Sequence, residues 1–322
     1  MKIAIVGATG LVGRTLIKVL EEDKIKIDNL ELFASKRSVK KNILFQKEKL
    51  AVKKLKDDKD LSGFDYIFFT ADSSISEKYA KNAAENGAVV IDNSSFYRLT
   101  DKIPLIIPEV NGNLLKGYKG IIANPNCSTI QMVLAINKIY QEYGIQEIVV
   151  STYQAVSGYG SEGVEELEEQ KNGSKEFKVF PNLIFDNVIP QIGEIKDGRY
   201  TEEEYKMVFE TKKILNDPLL RVFPTAVRVP VSNCHSESIY LRTIKPYFEI
   251  ESIKLLLSDL ENVILTDKVI TPKDIDGRNE TFISRLRGIG KKGIMMWVVA
   301  DNLRVGAATN AYRILKKHMD LN

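Results

Sequence analysis

Lys2-Ile3-Ala4-Ile5-Val6-Gly7-Ala8-Thr9-Gly10-Leu11-Val12-Gly13 is the stretch from which the rest of the sequence is read. Residues 2–6 form a short, β-branched apolar run, the pattern of a buried strand, and Leu11, Val12, Leu16, Ile17 and Leu20 recur at helical spacing. Strand, glycine turn and helix in that order is the context a dinucleotide fingerprint requires. Glycine permits the tight turn and close backbone approach, and the helix amino terminus presents N–H donors and partial positive charge to a pyrophosphate. Gly7, Thr9, Gly10, Leu11, Val12 and Gly13 are therefore the expected nucleotide-binding residues; a glycine turn shaped only for packing is the competing reading.

Outward from this turn the texture repeats. Strands are expected at 30–34, 64–69, 88–91, 104–107 and 120–123, with a helix at 76–86 closed by Gly87. Continuous buried strands alternating with helices predict an α/β fold, a Rossmann-type doubly wound parallel sheet with ligands beyond the carboxyl ends of its strands. The charge-dense stretch 47–60 reads as solvated surface. After Asn124 come a helix from Ser128, a strand at 147–153, a glutamate-rich helix at 164–170 and an irregular, exposed excursion at 171–199. A helix at 201–215, strands at 226–231, 237–244, 282–286 and 294–299, and an amphipathic segment at 250–260 predict a mixed α+β second domain. The last helix, 307–318, opens with small residues suited to packing back on the first domain. The expected domains are 1–127, 128–300 and 301–322, the last being that returning helix.

Composition bounds the function. The chain has 322 residues, roughly two domains at ~150 residues each. Lys plus Arg number 46 against 43 Asp plus Glu, a net +3 too small and too dispersed for a dedicated nucleic-acid binder. No apolar run is long enough to span a membrane, and the amino terminus turns glycine-rich before a signal-peptide core develops, so a cytoplasmic protein without membrane or nucleic-acid partners is expected. Two cysteines cannot form a disulfide framework. No metal site is expected, because Cys234 and His235 are adjacent while Cys127 and His318 are each far away in sequence.

Three further segments carry chemistry. At the end of the second expected strand, Ser35-Lys36-Arg37-Ser38 contains no acid for a ribose 2′-hydroxyl, and Arg37 suits a 2′-phosphate; this favours NADP over NAD, against the alternative of an ordinary basic loop. Asn124-Pro125-Asn126-Cys127-Ser128 places Cys127 at a helix amino terminus, where the dipole and free N–H groups favour the thiolate. The residues alone leave Cys127 open between packing and catalysis. Arg228-Val229-Pro230-Val231-Ser232-Asn233-Cys234-His235 offers a guanidinium for bidentate carboxylate recognition and an imidazole for proton transfer, although a hydrogen-bonded structural role is the commoner fate of an isolated histidine. His318 is the poorer candidate, and Cys234 reads as filler while remaining a rival nucleophile.

These segments, with Asp92-Asn93-Ser94-Ser95, Pro108-Glu109-Val110-Asn111 and Thr152-Tyr153-Gln154-Ala155-Val156-Ser157-Gly158, occur in one order, and the chain resembles the bacterial aspartate-semialdehyde dehydrogenases over essentially its full length. The resemblance implies that Cys127 is the nucleophile, His235 the acid/base, Gln154 the group orienting the acyl intermediate and Arg228 the ligand of the substrate carboxylate. It implies a phosphate-binding Arg98, and Glu203 and Lys206 on one helix face as ligands of the substrate amine and phosphate. Asn126 or the Cys127 backbone N–H would hold the oxyanion. Ser35, Arg37 and Ser38 would contact the 2′-phosphate of NADP. The second domain would be the catalytic and dimerisation domain of a homodimer or dimer of dimers. Its reaction would be the NADPH-dependent conversion of L-aspartyl 4-phosphate to L-aspartate 4-semialdehyde and phosphate, serving lysine, threonine and methionine biosynthesis. A related N-acetyl-glutamyl-phosphate reductase and a non-catalytic NADPH-binding sensor are the alternatives. The sequence departs from the pattern at Asp72-Ser73, where relatives carry small glycines, and at Ser38-Val39-Lys40, where Ala-Gly-Lys often follows the serine.

Overall fold

A computed structural model describes residues 1–35, 39, 42–196 and 198–322. The chain divides into two compact units, Met1–Pro125 with Ala307–Asn322, and Asn126–Gly306. The units change at Pro125 and Gly306, against expected boundaries at 127 and 300, so Asn126 and Cys127 belong to the second.

The first unit is built on a seven-stranded sheet ordered β3-β4-β2-β1-β5-β6-β7. Its strands are β1 (Lys2–Val6), β2 (Asn29–Ala34), β3 (Asn42–Phe45), β4 (Glu48–Lys54), β5 (Tyr66–Phe69), β6 (Val89–Asp92) and β7 (Ile121–Ala123). All neighbours are parallel except the β3–β4 hairpin. β1 lies between β2 and β5, so the strand order reverses there and opens the crevice in which such sheets bind ligands. Helix α1 (Leu11–Glu22) buries Leu16, Ile17, Val19 and Leu20; α2 (Ser73–Glu85) and the short α3 (Pro108–Asn111) follow. The carboxyl-terminal helix, Thr309–Leu321, adds Ala311, Tyr312, Ile314 and Leu315 to the core that holds Leu16, Leu20, Ile106 and Ile122.

The second unit has a six-stranded mixed sheet ordered β11-β8-β12-β15-β14-β13. These are β8 (Ile145–Gln154), β11 (Arg221–Arg228), β12 (His235–Thr243), β13 (Val263–Leu265), β14 (Thr281–Ile289) and β15 (Gly293–Ala300). A short pair, β9 (Ile195–Lys196) and β10 (Tyr200–Thr201), stands apart. The helices are α4 (Cys127–Tyr143), α5 (Ser161–Lys171), α6 (Glu202–Ile214), α7 (Ile250–Ser258) and α8 (Pro272–Ile275). α4 buries Ile130, Met132, Val133, Leu134, Ile136 and Ile139.

Four local expectations change. Residues 104–107 form no strand and make one isolated bridge, Leu105 to Ala123. The stretch read as solvated surface contains β4, whose lysines are exposed while Val52 is buried. The strand expected at 226–231 instead runs Arg221–Arg228, an edge strand that accommodates Pro224 in its middle. The excursion at 171–199 is not simply exposed. Phe180, Ile184 and Ile189 pack with Val156 and Leu167, and the Glu166 carboxylate accepts from the N–H groups of Lys178 and Val179 at 2.6 Å each.

Ile314→Ala, which empties a fully buried position of the carboxyl-terminal helix, should cost about 2–5 kcal/mol by urea unfolding. A loss well below that range would mean that this helix contributes little to the first unit's core.

Candidate active site

In the first unit, Gly7, Thr9, Gly10 and Ser35 line a cleft of about 370 Å³ together with Ala34, Thr70, Ala71 and Asp72. Gly7 has φ +92°, and a Cβ there would stand 2.6 Å from the Thr70 carbonyl oxygen. A Cβ on Gly13 would meet the Gly7 carbonyl oxygen at 2.4 Å, so this glycine lets the helix close onto the turn. Gly10 caps α1 without a side chain, leaving the first-turn N–H groups of Leu11, Val12 and Gly13 to an anion. The residues present therefore fit a dinucleotide. Asp72 sits on the same cleft, at the N-cap of α2. Arg37 and Ser38 lie outside the described residues. Arg98, buried in this unit, donates from Nη2 to the Asn93 carbonyl at 2.8 Å.

The second unit gathers the remaining candidates. Asn126 is the N-cap of α4, its side-chain oxygen accepting from the N–H groups of Ser128 and Thr129 at 3.0 and 3.3 Å, so Cys127 is the first helical residue. Asn126 Nδ2 then donates to Glu203 Oε1 at 2.8 Å, Gln154 Nε2 to the same oxygen at 2.9 Å, and Lys206 Nζ to Glu203 Oε2 at 3.2 Å. Burial opposes the charge on Glu203. Lys206, the hydrogen bonds from Gln154 and Asn126, and the Arg228 charge outweigh that cost and hold the pKa at about 2.

Ala155, just past β8, joins the other two groups. Its N–H donates to His235 Nδ1 at 3.0 Å, and its carbonyl accepts from Arg228 Nη1 at 2.6 Å. Burial, with Arg228 second, pushes the His235 pKa down to about 3, against the opposing influence of Glu203. Burial also lowers the Arg228 pKa, while Glu203 and Cys127 raise it, so thiol and guanidinium interact electrostatically. Phe180 from the excursion lies 5.7 Å from the guanidinium carbon. Cys127 is half-buried, and neither it nor Cys234 forms a disulfide among the described residues. Cys234 is fully buried, and burial followed by Asp301 and Asp276 raises its thiol pKa, which disfavours it as a nucleophile. His318 is structural: in the first unit it bonds the Tyr66 hydroxyl and the Tyr118 carbonyl, each at 2.8 Å.

Four residues escaped the sequence reading. Glu210 accepts from the Asn126 N–H at 2.6 Å; its seven-residue spacing from Glu203 along α6 was the available signal. Glu237, fully buried two residues after His235, has its carboxyl pushed well above the usual range by burial, and its charge-bearing residue type was the only clue. Gly158 and Gly306 are sites of close approach. A Cβ on Gly158 would stand 2.9 Å from Arg228 Nη1 and 3.2 Å from His235 Nε2, and one on Gly306 2.5 Å from Cys127 Cβ.

A parallel sheet with a glycine turn for a dinucleotide, and a second unit presenting a helix-capped cysteine beside a buried carboxylate, guanidinium and imidazole, define a semialdehyde dehydrogenase-like oxidoreductase. Residues 2–118 match the family described as "Semialdehyde dehydrogenase, NAD binding domain", and 136–305 match "Semialdehyde dehydrogenase, dimerisation domain". An aspartate-semialdehyde dehydrogenase of Aquifex aeolicus is 44% identical, the match covering 97% of this chain and 96% of the relative. The structure of aspartate semialdehyde dehydrogenase II complexed with ASA from Vibrio cholerae matches with a TM-score of 0.95 at 41% identity, covering 99% of this chain and 98% of that one. That of the Candida albicans enzyme with NADP matches with a TM-score of 0.76 at 25% identity, covering 99% and 100%. The chain belongs to the aspartate-semialdehyde dehydrogenase family.

The two depressed pKa values predict acid lability. A group whose folded pKa lies below its unfolded value stabilises the fold fully above the unfolded pKa, and that stability is lost as pH falls. For His235 the loss begins near 6.5 and runs toward about 3; for Glu203 it begins near 4.5 and runs toward about 2. Urea midpoints should decline from about pH 6.5 downward, and His235→Gln should remove the upper part of that decline. An unchanged profile in the variant would show that His235 is solvated and titrates normally.

Proposed function

We propose that this chain carries out the NADPH-dependent reduction of L-aspartyl 4-phosphate to L-aspartate 4-semialdehyde and phosphate through a thioester on Cys127. The observation that carries this reading is the ionised, buried Glu203 carboxylate bonded to the N-cap of the Cys127 helix, a ready partner for a free substrate ammonium. The names of the relatives support the reaction and substrate. An acylated amine, as in N-acetyl-glutamyl phosphate, would bring no positive charge to that carboxylate, and a sensor without chemistry has no use for the cluster.

In this reading the Cys127 thiolate, favoured by the α4 amino terminus, attacks the acyl carbon and displaces phosphate. Arg98 and Lys206 take the phosphate, and Arg228 and Glu203 hold the substrate carboxylate and ammonium. Gln154 orients the thioester, Asn126 or the Cys127 N–H holds the oxyanion, and His235 tends the same oxygen as the thioester is reduced. The dinucleotide supplies the hydride when bound. Ser35, Arg37 and Ser38 read its 2′-phosphate, and NADP in the Candida albicans relative supports that choice.

The protein works in the cytoplasm, where a nucleophilic thiol stays reduced. A homodimer, or a dimer of dimers, is supported by the match to a dimerisation domain and by an apolar stripe on the second sheet: Val149, Tyr153 and Phe223 are 44, 37 and 44% exposed on the face turned away from the buried residues of β8 and β11.

Cys127→Ser should leave folding and NADP binding intact while turnover falls by several orders of magnitude; activity within tenfold of the parent would sink the thioester. With phosphate and semialdehyde varied separately, Arg98→Ala should chiefly weaken phosphate, and Arg228→Lys, which keeps charge but loses the planar fork, should chiefly weaken the semialdehyde. Matching defects in both variants would refute this division. Phe223→Asp should shift sedimentation toward monomer if the stripe seats a second copy, and an unchanged assembly would place the interface elsewhere.

A further inference from the structure

We propose that Phe180 is a positioning residue for substrate binding: the strap formed by residues 176–194 seats its ring against the Arg228 guanidinium and holds that group in the orientation a substrate carboxylate needs. The strap takes its shape from two side chains one turn apart on α5. The Glu166 carboxylate accepts from the N–H groups of Lys178, Val179 and Phe180 at 2.6, 2.6 and 3.4 Å. Gln170 Oε1 accepts from the N–H groups of Ile184 and Phe185 at 2.9 and 3.0 Å, and its Nε2 donates to the Glu176 carbonyl at 3.0 Å. Both side chains are buried, where such bonds are stronger than in water and costly to leave unmade. Phe180 is thus placed by its own backbone before its ring touches anything.

From there the strap reaches the two residues assigned above to the amino-acid end of the substrate. Ile189 exchanges two backbone hydrogen bonds with Arg228, at 3.0 and 2.8 Å, and the Ile192 carbonyl accepts from the Glu203 N–H at 3.3 Å. The Phe180 ring is buried edge-to-face with Tyr159, at 5.9 Å between centroids, and abuts Gly163, where a Cβ would stand 3.1 Å from its Cζ. Its centroid lies 5.7 Å from the guanidinium carbon, within range for attraction between a cation and a π face. Arg228 Nη1 is tied to the Ala155 carbonyl, so one polar and one aromatic contact together fix the plane of the fork. A guanidinium binds a carboxylate bidentately only when its edge is aimed at it. Freezing a long side chain costs rotamer entropy, and an arginine already held does not meet that cost again when substrate arrives. The inference rests on the reading in which Arg228 holds the substrate carboxylate and concerns how that arginine is held.

Steady-state kinetics of the full-length enzyme in the semialdehyde-oxidising direction, with NADP saturating and phosphate and semialdehyde varied separately, test this. Phe180→Leu keeps an apolar filler but removes the π face, so it should raise the semialdehyde KM about 5–30-fold while kcat and the phosphate KM stay within about twofold of the parent. Glu166→Gln turns an amide NH2 toward backbone N–H groups and loosens the strap without touching Arg228. It should show the same selective rise, and the double variant should be no worse than the more damaged single variant, because both changes act through one ring. A ring that serves only as core would lower the urea midpoint of Phe180→Leu and leave the semialdehyde KM unchanged. That result, equal rises for both ligands, or additive effects in the double variant would overturn the inference. Should Phe180→Leu not fold, the KM split in Glu166→Gln decides alone. Arg228→Lys tests the underlying reading separately: if it spares the semialdehyde, the carboxylate assignment fails, and if it weakens the semialdehyde while Phe180→Leu does not, only the positioning role fails.

Discussion

The Glu203 carboxylate, a charge removed from water, is the constraint around which the second unit's polar centre is arranged. An isolated buried carboxylate is expensive, and three side-chain donors plus a nearby guanidinium are what keep it ionised. Each donor comes from a different place in the chain: Asn126 before α4, Gln154 at the end of β8, and Lys206 one turn along α6. Asn126 has two attachments, since its oxygen caps the helix while its nitrogen meets Glu203. The position of Cys127 at the helix start is thereby tied to the state of a carboxylate on another helix.

The backbone at Ala155 plays a comparable part with no side chain of consequence. Its N–H fixes one nitrogen of His235 and its carbonyl fixes Arg228, so imidazole and guanidinium are both anchored on the backbone of one residue. That residue follows β8, which pairs in register with both β11 and β12, the strands that end at Arg228 and begin at His235. Gly158 completes the arrangement by withholding a side chain from both groups.

Much of this was legible because the deciding signals are local. The glycine turn after β1 and Asn126 ahead of a helix are matters of backbone conformation and capping, and both recur in the structure. What escaped was long-range. Val52 lies in a strand whose other positions are mostly lysine and glutamate, so its alternation was hidden in charge. The loop around Phe180 owes its order to side-chain carboxylate and amide groups of Glu166 and Gln170, which bond backbone far along the chain and leave no periodicity. Glu210 and Glu237 have ordinary sequence surroundings, and their burial comes from the packing of α6 and β12. For the candidate site, Asn126, Gln154, Glu203, Lys206, Arg228 and His235 lie within the second unit, whereas Arg98 and the glycine turn belong to the first. The Ala155 backbone that anchors Arg228 and His235 carries no signal in its residue type.

The carboxyl-terminal helix shares a hydrophobic core with strands from the beginning of the chain, and all of Asn126–Gly306 lies between them in sequence. On the ribosome, the first unit therefore emerges early but stays unfinished, its apolar surface around Leu16, Ile106 and Ile122 waiting for Ile314 and Leu315. The second unit is contiguous and reaches completion first. Synthesis thus proceeds with an open nucleotide-binding half exposed to misassembly and chaperone capture until translation has passed Leu315, a burden that a simple end-to-end arrangement of two domains would not impose.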